Sequence, residues 1–249
     1  MATNFTHGIW NVTHVDATGS TNADILADAA HPHAAVVIAD HQNAGRGRMA
    51  RQWVAPAGSS LSLSAGWRVP AERTDTIWAI PLAVGLALTD VIPGSQLKWP
   101  NDLLLNGKKV CGILCEAETS PEGAYIAIGI GTNISLTEDQ LPVPHATSLA
   151  LEGIEVDKET YATQLLDALA RRLHQWESAL PELLDAYRSR CLTIGKEVSV
   201  DTPSGAISGK ATGVDDSGNL VVAAADTTHH IAAGDVHHVR GADGSYEGN

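Results

Sequence analysis

"HQNAGRGRMARQW", residues 41–53, follows the apolar run "AAVVIAD" at 34–40, and its reading decides what kind of sheet this chain builds. Taken as a dinucleotide fingerprint, Gly45, Gly47 and Ala50 match G-x-G-x-x-A after a predicted strand and would announce a doubly wound parallel sheet. The context rejects this. The fingerprint must open a helix, yet Trp53, Pro56 and Gly58 follow at once, and "SLSLSAGW" supplies no acidic residue at the distance of about 20 positions where the ribose needs one. A solvated charged loop is the second reading, but Arg46, Arg48 and Arg51 are clustered in a chain with only 16 Lys and Arg in 249 residues. The third reading is an anion clamp, in which glycines let backbone N–H groups approach a phosphate or carboxylate while the guanidiniums neutralise it. Ordering a glycine-rich loop costs entropy, so such a clamp is expected to be mobile when empty and to fold on its ligand.

The rest of the composition narrows the partners. A length of 249 residues with 44% hydrophobic residues supports one large domain or two smaller ones with a real core. The formal net charge of -13 opposes nonspecific nucleic-acid binding but leaves room for a small anion at a local basic site. Cys111, Cys115 and Cys191 form neither a CxxC pair nor a metal-ligand spacing, and read as reduced, mostly buried thiols of a cytoplasmic protein. The first residues, "MATNFTHGIWNVTHVDATGS", have no basic region followed by an apolar run, and no stretch approaches the roughly 20 apolar residues of a membrane helix.

Outward from the loop, "STNADILADAA" (20–30) reads as a short helix capped by Thr21 with Asp24, with Ile25, Leu26 and Ala29 on one face. "SSLSLSAGW" alternates serines with Leu61, Leu63, Ala65 and Trp67, which predicts a strand with one wet face. An apolar helix is predicted from Asp75 to about Val91, with Pro81 in its first turns or kinking it. "QLKWPNDLLLNGKKVCGILCEAE" reads as two strands joined at Asn106-Gly107, since both residues tolerate positive φ, and "AYIAIGIGTNIS" adds another strand. Residues 159–190 repeat Leu165, Leu166, Leu169, Leu173, Trp176 and Leu180 at helical spacing, and Pro181 opens a second segment. Beyond Gly195 the candidates "KEVSV", "AISGKATGV", "NLVVAAA" and "HHIAA" alternate with turns, as in a small antiparallel barrel. The division drawn is a catalytic unit at 1–192, a barrel at 193–240 and a loose tail at 241–249.

At this point the sequence resembles the biotin protein ligases. The matching pieces are "GSTN" at 19–22, "HQNAGRGRMARQW" at 41–53, "LKWPND" at 97–102, "KVCGIL" at 109–114 and "GIGTN" at 129–133. The arginine loop and KWPND are specific in combination. The resemblance implies an α+β fold, with a mixed, largely antiparallel sheet flanked by helices and a C-terminal SH3-like barrel. It further implies the monofunctional class, because only about 15 residues precede the first motif where repressor-type members carry a DNA-binding domain. The implied activity is ATP-dependent formation of biotinyl-AMP and transfer of biotin to a lysine of a biotin carboxyl carrier protein domain, with ATP and Mg²⁺ required. The roles carried over are catalysis for Lys109 and Arg48. Biotin contacts fall to Ser20, Thr21, Asn22, Gln42, Gly45, Arg46, Gly47, Arg48, Lys109, Gly112, Gly129 and Gly131. ATP contacts fall to Arg51, Trp53, Lys98 and Asn133, and Mg²⁺ to Asn101 and Asp102. Two anions, a carboxylate and an α-phosphate, must meet in such a reaction, so cations at their junction are a physical necessity.

Each role has a plainer rival. Ser20 and Thr21 suit a helix cap, Asn101 and Asp102 a turn after Pro100, and Trp99 the core. Lys108 and Lys109 are adjacent, and spacing to Gly112 favours Lys109. Cys111 and Cys115 read as packed thiols. The eleven histidines show no metal spacing and receive no chemistry, and no general base for the acceptor lysine stands out beyond Asp102. A lipoate or other small-carboxylate ligase and a non-catalytic nucleotide-binding module are the competing functions. No nucleic-acid or membrane partner is expected, and a homodimer is left open.

Overall fold

The computed structural model describes residues 2–202, 205–225 and 227–238, so the tail at 241–249 lies outside the described residues. The chain opens with a hairpin, β1 (Thr3–His7) and β2 (Trp10–Val15), followed by α1 (Thr21–Ala27), β3 (Ala35–Ala39) and β4 (Ser60–Pro70). Next come α2 (Ile80–Val91), β5 (Gln96–Lys98), β6 (Asp102–Leu105), β7 (Lys108–Ser120) and β8 (Gly123–Asn133). Two helices, α3 (Lys158–Ser178) and α4 (Leu180–Arg190), lead to β9 (Glu197–Thr202), β10 (Gly205–Val214), β11 (Leu220–Ala224), β12 (Thr227–Ile231) and β13 (Asp235–His238).

The large sheet has the order β1-β2-β3-β4-β8-β7-β6-β5. Only β2 and β3 pair in parallel; every other neighbouring pair is antiparallel, as the mixed, largely antiparallel expectation requires. Asn106 and Gly107 both take positive φ, 49° and 74°, and join β6 to β7 with Leu105 opposite Lys108, the two-residue turn that their sequence announced. The expected two strands are three, because β5 and β6 themselves form a hairpin around the turn at Trp99–Asn101. The small C-terminal unit is a five-stranded antiparallel sheet, β12-β11-β10-β9-β13, whose last strand the sequence reading did not list.

The two faces of the large sheet are built from different residues. One carries Leu61, Leu63, Ala65 and Trp67 of β4 with Ile126, Ile128 and Ile130 of β8, and packs into a single core with α2 and α3. Each such aliphatic side chain removed from water contributes about 1.5–3 kcal/mol. The opposite face takes the small and polar residues of the same strands, and α1 covers part of it through Ile25 against Tyr125 and Ala127. The serine face of β4 is therefore not wet: Ser60, Ser62 and Ser64 are all buried. Period-two alternation reveals that a strand has two unlike faces, and a long-range element decides whether the polar one meets water.

Two helix boundaries also differ from expectation. Ala71–Ala79 is 3-10, and the α-helix begins only at Ile80 with Pro81 in its first turn, where a missing N–H costs nothing. By length and composition alone Ala71–Val91 is apolar enough to cross a membrane, at a mean hydropathy of 1.2. Its α-helical part is a core helix, with Ile80, Val84, Leu86 and Leu88 fully buried against the rest of the protein. The cap of α1 is Ser20 rather than Thr21, and it makes no side-chain capping bond. Thr21 lies inside the helix, so its hydroxyl is free for another task.

Candidate active site

The polar face of the large sheet forms the floor of a cavity of about 330 Å³. Strand register aligns its small residues in rows: Ser62 pairs with Gly131 and Gly131 with Gly112, while Ser64 pairs with Gly129 and Gly129 with Leu114. The glycines are demanded by what lies on them. A Cβ at Gly131 would sit 2.5 Å from the Trp53 ring, and one at Gly129 would collide with the Asn22 amide. Ligand and side chains can thus lie directly on strand backbone.

Over this floor the arginine loop is folded back on itself. Thr18 and Gln42 form a parallel bridge beside α1, and Gly47 N donates to Arg51 O at 2.7 Å and Trp53 N to Gly45 O at 2.9 Å. Met49 and Ala50 turn the hairpin at φ 54° and 58°, in the left-handed region. Gly45 is buried beneath Trp53, and a Cβ there would run into the Trp53 carbonyl. It shapes the loop from beneath, and the cavity wall is formed by its neighbours Arg46, Gly47 and Arg48. All the other residues singled out from the sequence do line it.

One end of the cavity is lined by neutral polar side chains backed by the Arg46–Glu116 ion pair, and the other carries Arg48, Lys109 and Asp102. Inside, Gln42 Oε1 accepts from Thr21 N at 2.9 Å and from Thr21 Oγ1 at 3.2 Å. Ser64 Oγ stands 2.7 Å from Thr21 Oγ1 and 2.6 Å from Asn22 Oδ1, although its single hydrogen serves only one acceptor at a time. Asn22 Nδ2 donates to Glu116 Oε2 at 2.7 Å, and the same oxygen pairs with Arg46 at 3.1 Å. Ser64 and Glu116 are members of this network that the sequence did not reveal. Ser64 was masked by the wet-face reading, and nothing local marks Glu116.

At the outer end Lys109 and Asp102 form an ion pair of 2.6 Å, and Arg48 donates to Asn101 Oδ1 at 2.9 Å while Asn101 Nδ2 holds Ile113 O. Lys108 is exposed and outside the cavity, and Lys109 is the member of the pair that lines it. Strand parity fails there because a register shift between Leu103 and Leu104 interrupts the ladder. Burial lowers the Arg48 pKa from its ordinary value, against Asp235 and Asp102, which raise it. A guanidinium retains its charge through such a change. Asn133 is buried and donates to Thr147 O at 2.8 Å, and the Trp53 indole Nε1 is buried without a hydrogen-bond partner. Lys98 lines the same end.

The small C-terminal sheet reaches into this site. Asp235, Val236 and His237 of β13 complete the wall, and Asp235 pairs with Arg51 of the loop at 2.9 Å. Two histidines, His145 and His237, line the cavity, although no histidine was given a place there from the sequence. The thiols stand apart from the chemistry: burial pushes Cys111 and Cys115 each up to about 12, far from a nucleophilic thiolate. Among the described residues no group of three or more His, Cys, Asp or Glu is arranged to hold a metal.

Comparison with known proteins agrees with this architecture. Residues 15–133 match the Biotin/lipoate A/B protein ligase family and residues 193–239 the Biotin protein ligase C terminal domain. The Biotin--[acetyl-CoA-carboxylase] ligase of Mycobacterium tuberculosis is 40% identical, covering 91% of this chain and 88% of its own. That of Paracoccus denitrificans is 36% identical, covering 82% and 91%. The structure of the biotin protein ligase from Aquifex aeolicus in complex with biotin and ATP superposes with a TM-score of 0.77 at 25% identity, over 92% of this chain and 99% of that one. With both lobes matched and the relatives covered nearly end to end, the chain belongs to the biotin protein ligases.

Proposed function

We propose that this chain activates biotin with ATP to biotinyl-AMP and transfers biotin to a lysine of a biotin carboxyl carrier protein domain. The observation that carries the proposal is the placing of Arg48 and Lys109 in one cavity with a network of neutral hydrogen-bonding groups, Thr21, Asn22, Gln42 and Ser64, which the Arg46–Glu116 ion pair anchors. A ureido ring, with two donors and one strong acceptor, suits the inner end through Thr21, Asn22, Gln42 and Ser64. A dithiolane offers that end no hydrogen bonds and would bury polar groups without partners, which favours biotin over lipoate. The valeryl chain then lies across Gly129, Gly131 and Gly112, and the carboxylate arrives between the two cations.

In the first step a carboxylate oxygen attacks the α-phosphorus and pyrophosphate departs. Lys109 and Arg48 offset the repulsion of the two anions and the charge that gathers on the phosphorane oxygens. Trp53, Asn133, Arg51 and Lys98 are assigned to the nucleotide, with the unpartnered indole N–H of Trp53 as a donor for it. Asn101 and Asp102 offer one amide and one carboxylate oxygen. That set fits Mg²⁺, which takes few protein oxygens and many from water and phosphate, and would supply neutralisation of phosphate charge. In the second step the carrier amine displaces AMP from the acyl carbon, while Arg46, Gly47 and Arg48 keep water from the anhydride. Residues 1–192 are assigned the chemistry, with 193–240 as the lobe that closes it. The substrates point to the cytoplasm, in keeping with three free cysteines.

The test is mass spectrometry of a carrier domain incubated with this protein, biotin and Mg-ATP. A gain of one biotin on one lysine is the expected result. Turnover with lipoate in place of biotin, or no adenylate with either, refutes the assignment.

A further inference from the structure

A second cavity, of about 420 Å³, adjoins the first. Trp78, Pro81, Leu82 and Trp99 form one wall. The opposite wall belongs to the small sheet: the turn Ser217, Gly218 and Asn219, and Ala232. The turn is fixed there, because Trp99 Nε1 donates to Gly218 O at 3.0 Å and Gly218 packs against the Trp78 ring. Arg48, Asn101, Ile113 and Leu114 line both cavities, so the two adjoin at the Arg48–Asn101 hydrogen bond.

We infer that this cleft is the channel by which the acceptor lysine of the carrier domain reaches the acyl-adenylate. The inference rests on the ligase reading above. With ligand filling the first cavity under the arginine loop, an amine needs a separate approach to the acyl carbon, and the cleft ends at the two residues, Arg48 and Asn101, that border that carbon's position. Its chemistry suits a lysine side chain: the apolar walls accommodate four methylenes, and among the described residues no carboxylate lines them to hold an ammonium. The titratable groups on the walls are Arg48, a fixed like charge, and Cys115, whose thiol burial keeps neutral. Desolvation and the Arg48 charge both favour the neutral amine over the ammonium. The cleft thereby favours the nucleophilic form of the amine without calling on Asp102, which is paired with Lys109. The balance is simple: an Nζ–C bond forms, the C–O bond to the phosphate breaks with its electron pair leaving on AMP, and the surplus proton of the amine departs to solvent along the cleft.

Ala232 and Ser217 are exposed residues at the rim, so Ala232→Trp and Ser217→Trp plug the cleft without touching the core. Three rates are measured for each: biotin-dependent pyrophosphate exchange, transfer to the carrier domain, and transfer to a blocked free lysine at high concentration. The channel predicts exchange within twofold of the parent protein, with both transfers reduced at least 20-fold. Unchanged transfer, transfer lost only with the carrier domain, or exchange lost in step with transfer each overturns it. In addition, Ala232→Glu places a carboxylate at the mouth and is expected to move the pH of half-maximal transfer upward relative to Ala232→Gln, whereas coincident profiles contradict the electrostatic part. A parent protein that makes no adenylate refutes the ligase reading instead.

Discussion

Replacing Lys109 with Met removes one charge at the junction while keeping most of the side chain's length. The Lys109 and Asp102 side chains are only 29% and 20% exposed, so the charges act in a medium well below the dielectric of water. At a separation of about 4 Å and an effective dielectric of about 20, a unit charge contributes about 4 kcal/mol to a neighbouring anion. The carboxylate already feels part of this before reaction, and Arg48 remains, so a loss of about 3–4 kcal/mol in the transition state is expected. That corresponds to a fall of about 10²–10³-fold in biotin-dependent pyrophosphate exchange. The variant also leaves Asp102 without its ion-pair partner, so thermal unfolding is followed alongside, and Lys109→Met/Asp102→Asn restores stability without restoring exchange. Lys108→Met is the control and changes neither. Exchange by Lys109→Met within threefold of the parent protein, with the fold intact, refutes the electrostatic argument.

Other substitutions follow from the same geometry. Gly131→Ala sets a methyl group 2.5 Å from the Trp53 ring, so the indole must leave the wall; KM for ATP is expected to rise at least tenfold in steady-state kinetics while the melting temperature moves by a few degrees at most. Burial raises the Asp235 pKa, but the hydrogen bond and charge of Arg51 outweigh it and hold the carboxyl below its usual range. Its contribution is therefore present above the unfolded value near 4 and lost as pH falls through the folded value. Because Arg51 is 56% exposed, Asp235→Asn costs roughly 0–1 kcal/mol at pH 7, and that difference in calorimetric stability vanishes at acid pH. Iodoacetamide at pH 8 is expected to leave Cys111 unmodified in the native protein, as read by peptide mass spectrometry, because it is fully buried and burial pushes its thiol up to about 12.

Elements whose signals are local were legible. The Asn106-Gly107 hairpin, the leucine periodicity of α3 and the placement of Pro81 and Pro181 in first turns reflect backbone preferences that a few residues carry by themselves. The glycines of the floor were also visible, since Gly112, Gly129 and Gly131 interrupt strands otherwise rich in bulky residues. Thr21 was misread as a cap because its hydroxyl suits a local partner, and only the fold brings Gln42 and Ser64 within reach. The packing of Gly45 beneath Trp53 was not legible, because the loop could be read but its own internal fold could not.

The amino-acid sequence by itself determined the class of sheet, the positions of the turns and about half of the residues that line the cavity, among them Arg46, Arg48, Lys109 and the floor glycines. The tertiary structure alone decided that both faces of β4 are dry, which of two adjacent lysines lines the cavity, that Glu116 binds both Asn22 and Arg46, and that β13 supplies Asp235 to the loop. The reason is physical. Dihedral preference and hydrophobic period act over a few residues, whereas the orientation of a polar side chain is settled by whichever distant element covers its strand and offers a partner for its hydrogen bonds.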